Sequence, residues 1–270
     1  MTQTAVNDTT PGKNIDCGMA NIQYATLADN WKVATIPQQQ RGIADRQLHD
    51  LREGNIHPVF ASLQLALQAV KLDRFSLLDA ACASGYYYEV IRTLDCRKIA
   101  YTGSDYSPAM IEAAKTFYPD VAFEVQDVTK TSYADHQFNV VLLSGAIEHI
   151  PAYHEALSES CRVAKDYLII HRCPLTHHKE HESTVNIQYG AEILKMYFSK
   201  PLLLEEIRTH GFSLVQEIET YRERGFRGGI RRVKNEVKTF RHKQQSIEEI
   251  RPSVQTFVFW RHASQKSLSI

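Results

Sequence analysis

The sequence predicts an α/β fold built on a mostly parallel sheet with helices on both faces. Short apolar segments, dense in β-branched, leucine and aromatic residues, recur through the middle of the chain and are typical of buried strands. Helix-like stretches separate most of these segments. Strands that alternate with helices in this way form a parallel sheet wound on both faces.

The first five strands are predicted in FSLLDA, KIAYTGSDY, VAFEVQDV, FNVVLLSGA and DYLIIHRC. Helices are predicted in three of the crossovers, GYYYEVIRTL, SPAMIEAAKTF and AYHEALSESCRVA, whereas the third crossover, TKTSYADHQ, is too short to show one. In the second helix, Ser107 stands at the N-cap position and Pro108 in the first turn.

Further elements flank this alternating region. A helical pattern runs from Ala28 to Val70, and its clearest piece is HPVFASLQLALQAV. After Cys173 a long connection leads to a helix in KPLLLEEIRTHG that ends at Gly211. Two more strands are predicted in FSLVQEIETY and QTFVFWRHA, with about 30 basic-rich residues between them.

Composition excludes several classes of protein. Lysine plus arginine and aspartate plus glutamate both number 31, so no net charge attracts the chain to nucleic acid or to anionic membranes. The five cysteines form no CxxC pair, which favours reduced thiols and a cytoplasmic location. The N-terminus lacks the features of a signal peptide, and no apolar stretch approaches the roughly 20 residues of a membrane helix.

Carboxylates stand where three successive predicted strands end, at Asp79, Asp105 and Asp127. Open α/β sheets bind ligands beyond the carboxyl ends of their strands. Asp105 is suited to accept hydrogen bonds from both ribose hydroxyls, and Asp127 from an adenine amino group. Asp79 is expected to bind an ammonium group or to hold the following loop. A ligand with all these groups is S-adenosylmethionine.

The same segments resemble the motifs of class I S-adenosylmethionine-dependent methyltransferases, of the small-molecule, methyltransferase-11/25-like type. LLDAACASGYYYEVI is similar to the first motif, usually LDxGCGxG, and YTGSDYSPAMIEAAK to the second-strand motif, often GxDxSxxMxxxA. FNVVLLSGAIEHI is similar to the fourth-strand motif, often FDxVxxxxxLEHI, and ESCRVAKDYLII looks like the helix and strand that follow. The resemblance implies a Rossmann-like, seven-stranded sheet whose last strand is antiparallel, S-adenosylmethionine as cofactor, and a small-molecule acceptor.

Composition, hydrophobic pattern and the resemblance together give a domain plan. It predicts extra N-terminal helices and an insertion before the last strand. The ranges are a disordered tail (1–22), a helical cover (23–72), the cofactor-binding domain (73–262) with substrate-side insertions at 174–200 and 222–252, and a C-terminal tail (263–270).

Cofactor-binding residues are expected in the first loop and at the strand ends. They are Asp79, Ala81, Ser84, Gly85, Asp105, Tyr106, Met110, Asp127, Val128 and Ser144. The sequence departs from the family at Ala81 and Ala83, where glycine serves for positive φ or for close approach to the ligand. Ala83 is expected to narrow the pocket near the methionine end, and a loop that has lost its ligand is the alternative.

Residues for catalysis and substrate binding are expected around the same edge of the sheet. His149 follows the fourth strand with Glu148, and a neutral histidine there can take a proton from a substrate hydroxyl. The alternative is that both residues have only local structural roles. His171 and Arg172 are expected to hold a polar or anionic substrate, and Trp31 and Gln38 to line a lid.

Other signals leave alternatives open. His177, Glu180 and His181 form an H-x-x-E-H pattern, but its surroundings are typical of a loop, so no metal site is predicted. The basic segment 222–243 fits a solvated helix, a site for a phosphorylated or nucleotide-linked substrate, or an RNA-binding surface. The rival functions are therefore an RNA methyltransferase and a non-catalytic cofactor-binding regulator, with a dinucleotide dehydrogenase weaker still. The oligomeric state is open.

Overall fold

The computed structural model describes residues 27–33, 35–222 and 253–262. The predicted tails at 1–22 and 263–270 lie outside these residues, as does all but the first residue of the 222–252 insertion. None of the helices in the described part of the chain is long and apolar enough to span a membrane.

One mixed sheet contains nine strands among the described residues. In chain order they are β1 (Arg74–Ala80), β2 (Lys98–Asp105), β3 (Ala122–Val125), β4 (Phe138–Ser144), β5 (Ala164–Thr176), β6 (Glu182–Gln188), β7 (Ala191–Ser199), β8 (Phe212–Arg222) and β9 (Ser253–Arg261). The first five pair in parallel in the order β3-β2-β1-β4-β5. β9 then pairs antiparallel with β5, and β8 antiparallel with β9. These seven strands confirm the predicted fold class.

Six α-helices belong to the described residues: α1 (Ile36–Arg52), α2 (Pro58–Ala69), α3 (Tyr87–Leu94), α4 (Pro108–Phe117), α5 (Tyr153–Val163) and α6 (Lys200–Thr209). Helices α3, α4 and α5 are the predicted crossovers, and β3 passes to β4 without a helix, as the short connection indicated. Ser107 is at the N-cap of α4 as predicted, but its hydroxyl makes no capping hydrogen bond.

Two apolar cores cover the two faces of the sheet because successive side chains on a strand point in opposite directions. Leu77 of β1 packs with helices α1, α2 and α3, whereas the next residue, Leu78, packs with α5, α6 and the strand β7. Ile169 and Leu168 of β5 divide between the same two faces. Each of these four leucine and isoleucine side chains is fully buried and contributes about 1.5–3 kcal/mol to folding.

Strands β6 and β7 form a hairpin within the 174–200 segment, where the sequence predicts a long connection without regular structure. They pair antiparallel from Glu182↔Tyr197 to Gln188↔Ala191, and β7 joins the end of β5 at Leu175↔Phe198. Tyr189 and Gly190 close the hairpin with φ of 53° and 77°. A two-residue turn with positive φ at both positions matches the twist of the strands that it connects.

The first helix is fixed to two helices that follow the sheet's first two strands. The Arg41 guanidinium lies 3.7 Å from the Phe117 ring centroid and donates to the Tyr118 hydroxyl at 3.2 Å. Arg52 donates to the Glu89 carboxylate at 2.7 Å. These contacts attach α1 to α3 and α4, and they hold it over the carboxyl edge of the sheet.

Candidate functional site

A cavity of about 650 Å³ opens beyond the carboxyl ends of β1 to β5. Its volume is within the range of roughly 300–1,000 Å³ that is typical of small-molecule sites. The strand ends form its floor, while α1, the 3₁₀ turn Asn30–Lys32 and the tip of the β6–β7 hairpin form its cover. Three carboxylates predicted from the sequence, those of Asp79, Asp105 and Asp127, all line it.

Asp79 ends β1 as a carboxylate that is 1% exposed. Its Oδ2 accepts a hydrogen bond from the Tyr101 hydroxyl at 2.6 Å, while Oδ1 is buried and has no hydrogen-bond partner among the described residues. Burial raises the pKa of Asp79 to about 7, and the nearby charge of Asp105 contributes to this rise. The hydrogen bond from Tyr101 acts in the opposite direction and lowers this pKa. An unpaired oxygen at the cavity wall is suited to a cationic donor.

The loop after β1 has positive φ at the two positions where the motif LDxGCGxG has glycine and this sequence has alanine. Ala81 and Ala83 have φ of 61° and 50°, and both line the cavity. Left-handed backbone costs a residue with a Cβ about 1–2 kcal/mol, so the loop is strained. Gly85 has φ of 73°, and a Cβ there would lie 2.6 Å from the Phe123 ring. Gly85 therefore serves packing, and neither it nor the fully buried Ser84 lines the cavity.

Asp105 is the last residue of β2, and its carboxylate holds the backbone of two segments, the loop after β1 and the turn after β2. Oδ2 accepts the Ala83 N–H at 2.9 Å, and Oδ1 accepts the Ser107 N–H at 2.9 Å. Burial raises the pKa of Asp105 to about 6, against the N–H donors of Ser107 and Ala83, which lower it. The next residue, Tyr106, lines the cavity, and its hydroxyl donates to the Ala28 carbonyl of the cover.

Asp127 follows β3 in a tight turn. Its Oδ1 accepts hydrogen bonds from the Thr129 N–H at 2.9 Å and the Thr129 hydroxyl at 2.7 Å. The neighbouring Val128 and, from α4, Met110 also line the cavity. A carboxylate and two apolar side chains in one cavity are suited to a planar group that carries a donor.

His149 lies in the 3₁₀ turn Ile147–His149 that follows β4, and it lines the cavity. Its Nδ1 lies 2.6 Å from the Leu194 carbonyl of β7, which can only accept, so Nδ1 carries the proton of the neutral ring. Nε2 is then an acceptor, 3.9 Å from Glu148 Oε1. Burial lowers the pKa of His149, although the charge of Glu148 raises it in part. Glu148 is 5% exposed and does not line the cavity.

His171 and Arg172, which we expected at one rim, point to different surroundings. Arg172 lines the cavity, and its Nε is buried without a hydrogen-bond partner among the described residues. His171 is fully buried away from the cavity, where its Nδ1 contacts the Thr256 hydroxyl at 2.9 Å. The structure therefore places Arg172 at the cavity and His171 away from it, and the two side chains diverge where the register of β5 against β9 shifts between Ile170 and Cys173.

The cover contains one of its two predicted residues. Trp31 lines the cavity, with its ring 4.9 Å from that of His149, whereas Gln38 is exposed and does not reach it. Gln40 and Gln47 line it instead, together with Ile43 and Ala44. Spacings of three, four and seven residues place these four on one helical face, a period that could have identified them from the sequence.

Aromatic residues are the main part of the site that the sequence analysis left unassigned. Tyr86 and Tyr87 of the YYY run both line the cavity, as do Tyr189 from the hairpin and Tyr221 from the end of β8. The alternating pattern of STVNIQ and the following Gly190 indicate a hairpin and were the available signal for Tyr189. No comparable pattern identified Tyr221.

Residues 78–169 match the family model described as a methyltransferase domain. None of the curated proteins that were compared matches the chain. The family match covers the segment from the middle of β1 into β5, which includes all three strand-end carboxylates and His149.

Solved structures are similar to this chain in fold at low sequence identity. 1,6-Didemethyltoxoflavin-N1-methyltransferase of Burkholderia thailandensis, crystallised with 1,6-didemethyltoxoflavin and S-adenosylhomocysteine, is 14% identical, with a TM-score of 0.55 over 96% of this chain and 94% of its own. Magnesium protoporphyrin IX methyltransferase of Synechocystis PCC 6803, crystallised with S-adenosylmethionine, is 12% identical, with a TM-score of 0.52 over 93% of this chain and 100% of its own. An S-adenosylmethionine-dependent methyltransferase of Mesorhizobium loti is 14% identical, with a TM-score of 0.51 over 74% of this chain and 98% of its own.

Proposed function

We propose that the methyltransferase domain carried by this chain binds S-adenosylmethionine and transfers its methyl group to oxygen, nitrogen or carbon of a small molecule. One observation carries the proposal: carboxylates from the ends of β1, β2 and β3 line a single cavity. An ammonium group, a pair of ribose hydroxyls and an adenine amino group together match this set of acceptors.

The nucleoside half of the cofactor is assigned to Asp105 and Asp127. Each Asp105 oxygen already accepts one backbone N–H and keeps a further lone pair for a ribose hydroxyl. Asp127 would accept from the adenine amino group, and Val128 and Met110 would supply apolar contacts to its ring.

The methionine half is assigned to the end of β1 and its loop. Asp79 Oδ1 accepts from the ammonium group, since it is buried at this position without a partner among the described residues. Ala81, Tyr106 and Ser144 complete the wall. Ser84 and Gly85 act indirectly by shaping the loop from behind.

When bound, S-adenosylmethionine supplies a sulfonium-activated methyl group, so the protein contributes alignment and proton removal. His149 is the proposed base, because the Leu194 carbonyl fixes its Nδ1–H and leaves Nε2 as an acceptor in the cavity. Glu148 stabilises the imidazolium that forms, since its carboxylate lies 3.9 Å from Nε2.

The cover supports an acceptor of small size. Asn30 Nδ2 donates to the Glu192 carbonyl at 2.7 Å, and Trp31 contacts Tyr189 with ring centroids 5.9 Å apart. These contacts join the N-terminal turn to the hairpin above the sheet. We assign the space beneath them to the acceptor, with Trp31 and Arg172 among its walls. A cytoplasmic location stays a prediction.

Methyl transfer from tritiated S-adenosylmethionine tests the proposal. We expect label in extracted small molecules when the protein is given a panel of hydroxylated and aminated acceptors, and none in RNA transcripts. His149→Gln should lower the rate by about 100-fold, within the range of general-base catalysis. Label found in RNA alone would contradict the small-molecule assignment, and S-adenosylhomocysteine binding without transfer to any acceptor would indicate a non-catalytic binding protein.

A further inference from the structure

Arg172 occupies a position in β5 where the backbone departs from regular strand geometry. Its φ is 63°, and the register between β5 and β9 shifts between Ile170 and Cys173. Irregularities of this kind re-aim side chains next to binding sites. Here the irregularity directs His171 to Thr256 and Arg172 into the cavity.

The Arg172 guanidinium has no carboxylate partner within ion-pair distance among the described residues, whereas two other partly buried arginines have one. Arg97 pairs with Asp95 and Arg162 with Glu159. The Arg172 guanidinium packs against Gly145, where a Cβ would lie 2.6 Å from Nη2, and its Nε is buried without a hydrogen-bond partner. A desolvated cation is costly unless an anion joins it, so this geometry fits a negatively charged ligand.

Aromatic rings line the same cavity as the Arg172 guanidinium. The Tyr86 and Tyr87 ring centroids are 4.7 Å apart, and the Trp31 ring lies 4.9 Å from that of His149 and 5.9 Å from that of Tyr189. Rings at these separations offer faces and edges to a planar molecule. Such rings also bind organic cations, but the fixed charge of Arg172 opposes a cationic acceptor.

We propose, on the basis of the function proposed above, that the acceptor is a planar aromatic carboxylate whose carboxyl group binds Arg172 while its ring packs among these tyrosines. A carboxylate is favoured over a phosphate because the available positive charge is small. Among the described cavity residues Lys32 is the other lysine or arginine, and it already pairs with Asp29 at 2.7 Å. The charge of Glu148 also acts on Arg172, which disfavours a dianion.

The test uses wild-type protein saturated with S-adenosylhomocysteine and three probes of one shape: benzoate, neutral benzamide and phenyl phosphate. Titration calorimetry gives their affinities, and Trp31, one of two tryptophans in the chain, gives a fluorescence signal from the cavity. We expect benzoate to bind more tightly than either other probe. Arg172→Gln should weaken benzoate roughly 10- to 100-fold, as for loss of a charge-assisted hydrogen bond. The same substitution should leave the affinity for benzamide unchanged.

Two control variants distinguish the loss of the Arg172 charge from a general effect of removing an arginine. Arg172→Lys keeps the charge and should retain part of the benzoate affinity, and Arg92→Gln, at an exposed site outside the cavity, should change nothing. The comparison of benzoate with benzamide in wild-type protein needs no variant, so it remains decisive if Arg172→Gln fails to fold.

The outcomes separate this inference from the proposed function. Equal binding of benzoate and benzamide, tighter binding of phenyl phosphate, or no binding of any probe would overturn the inference while leaving the cofactor site intact. Loss of S-adenosylhomocysteine binding in Arg172→Gln that is folded by circular dichroism would overturn it too, because the anion would then be the carboxylate of the cofactor. Failure of wild-type protein to bind S-adenosylhomocysteine would instead contradict the proposed function itself.

Discussion

Asp105 Oδ2 accepts the Ala83 N–H at 2.9 Å, so the carboxylate proposed to bind the ribose also holds the loop after β1. An amide at this position keeps only one of the two backbone hydrogen bonds, because its nitrogen donates and cannot accept. Asp105→Asn should therefore weaken S-adenosylhomocysteine binding by about tenfold or more, through the lost charge and the displaced loop. Calorimetry measures this, with Asp73→Asn, an exposed change before β1, as the control. Wild-type affinity in Asp105→Asn would contradict the assignment.

Cofactor affinity should rise with pH through the ionisation of Asp79. Its pKa is raised to about 7, so in the ligand-free protein the stability that this group contributes is fully present below its ordinary pKa of 3.8 and is lost as pH rises through about 7. An ammonium group favours the ionised form. S-adenosylhomocysteine should therefore bind several-fold more tightly at pH 7.5 than at pH 5.5, by at most about tenfold per pH unit.

Asp79→Asn is the matched variant for this pH series. It should bind weakly at every pH and retain only the smaller dependence that Asp105 contributes near pH 6. A wild-type affinity that does not change between pH 5.5 and 7.5 would exclude Asp79 as the ammonium partner.

The strain at Ala81 and Ala83 predicts an unusual response to glycine. Relief of a left-handed φ gains about 1–2 kcal/mol, and this exceeds the roughly 0.5–1 kcal/mol that glycine loses through unfolded-state entropy. Ala81→Gly and Ala83→Gly should therefore be neutral or stabilising in urea denaturation. Ala146→Gly is the control, since Ala146 also lines the cavity but has φ of −115°, and it should be destabilising. Equal destabilisation in all three variants would show that the loop is not strained.

His149 should be a neutral ring with its proton on Nδ1 at pH 7. The Leu194 carbonyl fixes that proton, and burial lowers the pKa of the ring below its ordinary value of 6.5. Long-range ¹H–¹⁵N spectra of wild-type protein and His149→Gln should identify a ring with protonated Nδ1 that titrates below pH 6.5. Glu148→Gln should lower that midpoint further, because the charge of Glu148 raises it. A proton on Nε2 at pH 7 would remove the base assignment.

The sequence predicted the residues at strand ends well, because strand order and the carboxyl edge follow from apolar segments and crossovers. Asp79, Asp105 and Asp127 reached one cavity for that reason. Side-chain direction was harder to predict. Arg172 faces the cavity and His171 does not. This difference depends on an irregularity in β5 that cannot be recognised from the sequence pattern.

The cover shows the same limit in a helix. Two positions separate Gln38 from Gln40, and only the phase of α1 against α3 and α4 decides that Gln40 faces inward. The hairpin that brings in Tyr189 was also not predicted, since its strands lie at the edge of the sheet and carry few buried residues on β6.

The central claim is that this cavity is a site for S-adenosylmethionine, and titration calorimetry of the purified chain with S-adenosylhomocysteine tests it most directly. We expect one molecule to bind per chain with micromolar affinity, and Asp105→Asn to weaken that binding strongly. Circular dichroism of the same sample shows whether the protein is folded. Folded wild-type protein that releases no heat with S-adenosylhomocysteine would contradict the account.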